Sequence, residues 1–264
     1  MNKEKIDSAA KILFNARLKT SSLEILPVDC IPKNDKEAYL IQDSLTNLYI
    51  NQFNAKIIGK KVGCTNKKAQ QQIKVNKPFY GNIYSSFSSN SKCNLDRKQF
   101  IKPHIEPEFS FQLNSKIDSI KGPITLNQTY DLIEKVIPSI EIVDSRFNDW
   151  TSIGINNLIA DNGANAYWIK SKKDYNLNNV NFNNHIVKVF INENLIEVGN
   201  SNNVLNNPLN SLRWLLNTLS KQRKYLQKGT YVSTGTCTSA IPVSKKDIVI
   251  ADFDSLGIVE LQLK

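Results

Sequence analysis

Glu106 and Glu108 stand two residues apart in Pro103-His104-Ile105-Glu106-Pro107-Glu108-Phe109-Ser110-Phe111, a stretch that otherwise reads as a strand. Side chains alternate across a strand, so both carboxylates project from one face. Two like charges held side by side inside a fold are costly unless a positive group lies between them. A divalent metal is the simplest such group. Further along, Pro138-Ser139-Ile140-Glu141-Ile142-Val143-Asp144-Ser145-Arg146 supplies a third carboxylate, Glu141, among Val136, Ile137, Ile140, Ile142 and Val143. Such flanks predict burial on both faces, where an unpaired carboxylate is not tolerated. A Glu-x-Glu pair alone is ordinarily the solvated side of an antiparallel strand; Glu141 is what moves the reading to a metal centre. Three carboxylate oxygens with open positions suit Mg²⁺ or Mn²⁺ better than zinc.

Other residues could join this chemistry. Gly59-Lys60-Lys61-Val62-Gly63 carries two lysines that face opposite ways on a strand, so at most one enters a site. A lysine beside a metal-bound acid can hold a carboxylate or shuttle a proton; the alternative is a surface pair. Asp161-Asn162-Gly163-Ala164-Asn165 is either an ordinary turn or a loop whose amides meet a substrate. Ser233-Thr234-Gly235-Thr236-Cys237-Thr238 follows a strand and is either a Thr-rich turn or an anion-binding nest. Arg146 is expected to pair with Asp144 or another acid in a structural role. His104 shares the face of Glu106 and Glu108 and is either a supporting residue of the centre or a surface histidine.

Composition narrows the classes. The chain has 264 residues, 41% hydrophobic and 22% charged, enough to bury a substantial core. No apolar run suits a membrane span, and Met1-Asn2-Lys3-Glu4-Lys5-Ile6-Asp7 lacks a signal-peptide apolar region, so a cytoplasmic protein without a membrane partner is expected. Cys30, Cys64, Cys93 and Cys237 form no Cys-x-x-Cys pair, which predicts reduced thiols. With His104 and His185 as the two histidines, a His-based zinc site or a Ser-His-Asp triad has little material. The net charge of +10 raises the possibility of a polyanion binder. Yet the lysines are spread in pairs and no basic run or nucleic-acid motif is present. A cationic enzyme attracting small anionic acids is the more economical reading, with no nucleic acid partner.

These residues need elements to position them. Apolar spacing predicts helices over 3–18 and 36–51, a strand over 56–63, a short polar helix over 66–73 and a loop-rich excursion over 76–94. Strands are expected near 104–113, 136–144, 185–192, 230–234, 246–253 and 257–263, and helices near 127–135 and 208–220. In the last, Asn207 is the cap, Pro208 lies in the first turn, and Leu209, Leu212, Leu215, Leu216 and Leu219 form the buried stripe. The expected class is α+β: an α-rich N-terminal cap region, 1–100, on a β-rich core, 101–264, that carries the metal site.

Taken in order, Ile58-Gly59-Lys60-Lys61-Val62-Gly63-Cys64-Thr65, Gln70-Gln71-Gln72, Ile105-Glu106-Pro107-Glu108, Ile137 to Trp150, Ile159-Ala160-Asp161-Asn162, Asn207-Pro208-Leu209 to Trp214-Leu215 and Thr234-Gly235-Thr236 resemble the fumarylacetoacetate hydrolase superfamily. The chain is similar to its hydratase/decarboxylase branch, the 2-keto-4-pentenoate (2-hydroxypenta-2,4-dienoate) hydratases. The resemblance runs from about residue 55 to the C-terminus and is specific as a set. It implies a mixed β-roll core, with a divalent metal held by Glu106, Glu108 and Glu141 and chelated by a small 2-oxo acid. It implies further that Lys61 and Asp161 serve catalysis, Lys61 by proton transfer or by holding an oxyanion, while Asp161 and Asn162 shape the pocket. Thr234, Gly235 and Thr236 would grip the substrate carboxylate. A homo-oligomer is implied as well.

The activity implied is addition of water to a short unsaturated 2-oxo acid, giving a 4-hydroxy-2-oxo acid. One departure bears on it. Where the hydratases carry Pro-Asp-aromatic-Gly, with the Asp a candidate for activating water, this chain has Pro78-Phe79-Tyr80-Gly81. Phenylalanine is no general base, and decarboxylase relatives of the 4-oxalocrotonate type often carry an apolar residue there. Decarboxylation of a 2-oxo-enedioate is therefore the alternative, with a non-catalytic 2-oxo acid binder third. A carbon–carbon hydrolase would need an upstream Glu-His pair, and no histidine precedes His104.

Overall fold

In the long hairpin that centres the molecule, Ile105, Pro107, Phe109, Phe111 and Leu113 alternate with His104, Glu106, Glu108, Ser110 and Gln112. The apolar set packs away from the site, where Phe109 and Phe111 meet Phe182 and Phe109 also meets Phe253, edge to face. The polar set is thereby turned to the other face. The computed structural model describes residues 1–117 and 123–264; the side chain of Gln72, part of one resembling segment, lies outside the described ones.

The elements run α1 (Lys3–Leu18), α2 (Asp35–Phe53), β1 (Ile57–Gly63), α3 (Lys67–Gln72), β2 (Phe79–Tyr84), β3 (Ser88–Asn90), β4 (Cys93–Leu95) and β5 (His104–Leu113). Next come α4 (Leu126–Asp131), β6 (Ile133–Val143), α5 (Ile155–Ala160), β7 (Asn165–Lys170), β8 (Ile186–Ile191) and β9 (Asn194–Asn200). The chain closes with α6 (Pro208–Lys221), β10 (Tyr231–Thr236), β11 (Ile241–Pro242), β12 (Ile248–Asp252) and β13 (Ile258–Leu263). A mixed sheet has the order β2-β1-β10-β5-β6-β7-β3, with β11 on β5; a second has the order β4-β13-β12-β8-β9. β1 pairs with β10 in parallel, and β5 runs antiparallel to both of its neighbours, β10 and β6.

Local chemistry explains the ends. Asn2, Asn34 and Asn207 cap α1, α2 and α6 by accepting from Lys5, Glu37 and Leu209 amides. α1 and α2 bury Ala9, Ala10, Leu13, Ile41 and Leu45 in an apolar cluster of their own, joined by Phe147 and Ala160. The division near residue 100 nonetheless crosses the large sheet, since β1 and β2 lie in it beside β10 and β5.

The α+β class stands, as do the two long N-terminal helices and α6. Among the described residues six strands fall outside the expected ones: the short β3, β4 and β11, and the longer β2, β7 and β9. β2 lies in the expected loop-rich excursion, where Phe79-Tyr80-Gly81-Asn82-Ile83-Tyr84 is buried on both faces and so shows no alternation. β7 pairs with β6 and β3. β9 was hidden because β8 turns into it through Asn192 and Glu193, both at positive φ (50° and 68°), where Asn-Gly would be the usual signal. The helix expected over 127–135 stops at Asp131, because β6 begins at Ile133 and pairs with β5 along its length. Among the described residues no helix is long and apolar enough to cross a membrane, and none of the four cysteines forms a disulfide.

Candidate metal centre

Antiparallel pairing of β5 with β6 sets Glu106 directly opposite Glu141, with Glu108 opposite Ser139. One carboxylate oxygen from each of Glu106, Glu108 and Glu141 comes within 4.8 Å of the others. Glu108 and Glu141 are fully buried and Glu106 is half-buried at the cavity. Each buried carboxylate is satisfied on one side. Glu141 Oε1 accepts from Asn165 Nδ2 at 3.0 Å and lies 3.2 Å from Lys61 Nζ; Glu108 Oε2 accepts from Ser233 Oγ. The other oxygens, Glu108 Oε1 and Glu141 Oε2, have no hydrogen-bond partner among the described residues. Buried polar atoms are rarely left so, and each costs about 1–3 kcal/mol when it is.

Charge completes the test. Three carboxylates face one ammonium, which leaves the two negative charges that a dication cancels. Burial and then the Glu141 charge push Glu106 up to about 7. Burial and then Glu141 and Glu106 push Glu108 well above the carboxylate range. Burial works against the Lys61 charge, but Glu141, Glu106 and Glu108 outweigh it and hold the ammonium above its ordinary value. A hard oxygen donor set with two unpartnered oxygens and an uncancelled double charge fits a divalent cation.

The structure brings some expected residues to this centre and turns others away. Lys61 and Thr236 line the cavity with Glu106, Phe79, Trp150 and Asn66. Asp161 does not reach it. Its carboxylate accepts from Arg146 Nε, from the Arg146 amide at 2.9 Å and from Ser145 Oγ at 3.0 Å, so the acid Arg146 was expected to find is Asp161. Asn162 is also spent: its Oδ1 accepts from the Asn82 amide at 2.7 Å and its Nδ2 donates to the Asn82 carbonyl at 2.9 Å, pinning β2. The expected turn over Thr234, Gly235 and Thr236 is a β-bulge. The register of β10 on β5 shifts between Ser233 and Thr236, so Ser233 faces Ser110 and Thr236 faces Glu108. Thr234 is thrown to the other side, donating to the Phe109 carbonyl at 2.7 Å. Gly235, at φ 99°, has no room for a Cβ, which would lie 1.9 Å from Thr65 Oγ1.

Phe79 sits where the departure from the hydratase pattern was noted. Its ring centroid is 5.4 Å from Lys61 Nζ. Cβ atoms at Gly63 and Gly163 would fall 2.6 and 2.8 Å from that ring, so the two glycines make the space it fills. His104 Nδ1 donates to the Lys102 carbonyl at 2.9 Å and the ring meets Trp150 edge to face, outside the carboxylate cluster. Asn165 and Ser233, which hold Glu141 and Glu108, belong to the 161–165 and 233–238 segments that the sequence singles out, without a link there to the carboxylates.

Lys60 leaves on the opposite face of β1. It donates to Asn82 Oδ1 and lies 5.3 Å from the Tyr80 ring centroid. Burial and then the Lys224 charge lower it to about 8. An unfolded lysine keeps its proton to about pH 10.4. Between those values the unfolded state binds more protons, so this group's penalty is full below pH 8 and fades as pH rises. Lys60→Met is therefore expected to raise the urea midpoint at pH 7, with the gain over wild type narrowing from pH 8 to about 10. A gain that stays constant over that range would refute the account.

No protein-family model matches the chain. Among curated proteins it is similar to the 4-oxalocrotonate decarboxylase of Pseudomonas putida, 27% identical over 259 residues that cover 98% of this chain and 97% of the relative. It is also similar to 2-keto-4-pentenoate hydratase 1 of Dechloromonas aromatica (strain RCB), 25% identical over 255 residues covering 95% and 94%. The 4-oxalocrotonate decarboxylase from Pseudomonas putida G7, complexed with magnesium and adipate, superposes with a TM-score of 0.92 at 26% identity over 100% of this chain and 99% of that one. The same protein with calcium and acetate gives 0.91. A fumarylacetoacetate hydrolase from Exiguobacterium antarcticum shares the fold at TM-score 0.55, 11% identity, over 79% of this chain and 75% of that one. Fold and site thus define a protein of the fumarylacetoacetate hydrolase fold with a buried carboxylate cluster that fits a divalent cation. Within it, the chain is a homologue of the 2-keto-4-pentenoate hydratases and the 4-oxalocrotonate decarboxylases.

Proposed function

We propose that this protein is a metal-dependent lyase acting on a short unsaturated 2-oxo acid, with Mg²⁺ or Mn²⁺ held by Glu106, Glu108 and Glu141. The observation that carries the reading is the convergence of those carboxylates, with two buried oxygens unpartnered, at a cavity that Lys61 also lines. When bound, the cation would draw electron density from the substrate's carboxylate and 2-oxo oxygens, a Lewis-acid effect worth several kcal/mol. The residues of the chain do the rest. Lys61, kept charged by its carboxylate neighbours, is placed to hold the developing oxyanion or to move a proton to the substrate's carbon. The Thr236 hydroxyl faces the same cavity and can donate to the substrate carboxylate. Phe79, Trp150 and Leu158 give the carbon chain an apolar wall that excludes water. The net charge of +10 favours the approach of small organic anions. A homo-oligomer belongs to the same reading, and sedimentation velocity would read its size.

The main reading is addition of water, giving a 4-hydroxy-2-oxo acid. A second reading, loss of CO₂ from a 2-oxo-enedioate, is favoured by Phe79. An apolar ring beside Lys61 leaves Glu106 as the carboxylate lining the cavity among the described residues. Decarboxylation needs the same electron sink and no activated water.

The test is a paired assay with Mg²⁺ on 2-hydroxypenta-2,4-dienoate and on 2-oxohex-3-enedioate, following ultraviolet loss and CO₂ release. Loss of the dienoate without CO₂ is the hydratase; CO₂ from the diacid is the decarboxylase. Silence with both, while oxalate raises the melting temperature, would reduce the protein to a 2-oxo acid binder. Phe79→Asp places a carboxylate near Lys61 and is expected to raise hydration relative to CO₂ release by about 10²-fold, the lower end of what a positioned base supplies. An unchanged product ratio would show that Phe79 does not govern the choice.

A further inference from the structure

Behind Glu108 lie three serines on three neighbouring strands, Ser110 on β5, Ser139 on β6 and Ser233 on β10, all with no solvent exposure. The register places Ser233 opposite Ser110 and Ser139 opposite Glu108. Ser233 Oγ touches Glu108 Oε2, Ser110 Oγ is 2.9 Å from Ser233 Oγ, and Ser139 Oγ is 2.7 Å from Ser110 Oγ. Their order can be worked out from proton counting. As a metal ligand Glu108 is a carboxylate, which only accepts, so Ser233 spends its one proton on it. Ser233 then accepts from Ser110, and Ser110, its proton spent, accepts from Ser139. Ser139 has one proton for two acceptors, Ser110 Oγ at 2.7 Å and the Glu108 carbonyl at 3.2 Å, and the shorter contact takes it. Every hydroxyl points the same way, toward Glu108. In a dry interior each bond of such a chain polarises the next.

The chain occupies Oε2 of Glu108 and leaves Oε1 as the unpartnered oxygen. Glu108 is thereby limited to one ligand oxygen. Calcium takes six to eight oxygens and readily uses both of a carboxylate, whereas magnesium demands six at short, octahedral distances. We propose that the Ser139–Ser110–Ser233 hydroxyl chain is a positioning device that fixes Glu108 as a one-oxygen ligand and so biases the centre toward small octahedral cations over calcium. The proposal rests on reading Glu106, Glu108 and Glu141 as the metal site.

The experiment is equilibrium titration of Mn²⁺ and of Ca²⁺ into the chelator-stripped full-length chain, reading affinity rather than turnover. Ser233→Ala is expected to weaken Mn²⁺ by about 10-fold, as loss of a residue supporting a metal ligand does, with Ca²⁺ unchanged or tighter. The Mn²⁺ to Ca²⁺ affinity ratio then falls about 10-fold. Ser110→Ala, which keeps the bond to Glu108 but removes its support, moves the ratio the same way by less, and it carries the test if Ser233→Ala does not fold. Ser211→Ala is the control. Ser211 is as buried, on α6, and donates to the Thr234 carbonyl at 2.7 Å, so its loss lowers the melting temperature and leaves the ratio alone. Equal weakening of both ions in Ser233→Ala, no change in either, or a matching shift in Ser211→Ala would overturn the proposal. A wild-type chain that binds neither ion would instead sink the metal-site reading on which it rests.

Discussion

Glu108→Gln is expected to lose divalent-metal binding and to lower turnover of any 2-oxo acid by about 10³-fold, the several kcal/mol that a Lewis acid supplies to the transition state. The substitution is nearly isosteric, and the Ser233 hydroxyl can still be accepted by the amide oxygen. What disappears is one of three converging charges, on a side chain with no solvent exposure. The effect on stability should therefore depend on metal. Stripped of metal by a chelator, the wild type crowds three carboxyl groups beside Lys61 alone, at the cost of taking up protons, and the amide is expected to leave the fold at least as stable. With millimolar Mg²⁺ the wild type gains stability by mass action and the variant does not, so the wild type becomes the more stable. Urea unfolding of both chains, with chelator and with Mg²⁺, reads this directly. If Mg²⁺ shifted both midpoints equally, Glu108 would not be a ligand.

Asp161→Asn is expected to cost about 3–5 kcal/mol of stability, because it leaves the Arg146 guanidinium buried and without its charge partner. Arg146 is tied in at every edge: Nε to Asp161, Nη1 to the Asp144 carbonyl at 2.6 Å and Nη2 to the Asp161 carbonyl at 2.7 Å. This knot joins the end of β6 to the turn after α5, and it holds Gly163 and Ala164 against the cavity. The urea midpoint should fall sharply, while kcat of the folded fraction, assayed well below the melting temperature, should change by less than about 10-fold. A kcat loss of 10³-fold in a protein of unchanged stability would restore Asp161 to the catalytic role that the family resemblance implied.

Asp161 marks where reading from the sequence ran out. Its motif matches the family pattern, but a motif does not say whether a carboxylate turns to a cavity or to an arginine fifteen positions earlier. That choice is made when the chain closes and Arg146, too costly to bury alone, takes the acid nearest to it. Thr234 and Thr236 make the same point by another route. Regular alternation treats Ser233 and Thr236 as facing opposite ways; one extra residue at the Gly235 bulge brings both to the site and sends Thr234 away.

Glu106, Glu108 and Glu141, by contrast, were legible before any coordinates. Two carboxylates on one strand face and a third in an apolar strand make a demand for positive charge that alternation and burial alone establish. The same physics made β5 legible to the residue, α1 through helical spacing, and α6 through helical spacing and the Asn207 cap. Such signals are local, written in neighbours along the chain. Which oxygen of each glutamate is left free, which of two adjacent lysines enters the site, and what fills the space beside it are settled by strands far apart in sequence. Asn165 reaches Glu141 from β7, Ser233 reaches Glu108 from β10, and Phe79 reaches Lys61 through the gap left by Gly63 and Gly163. Side-chain satisfaction is a property of the packed interior, so the metal demand could be read from residue types, while the means of meeting it exist once the sheet has closed.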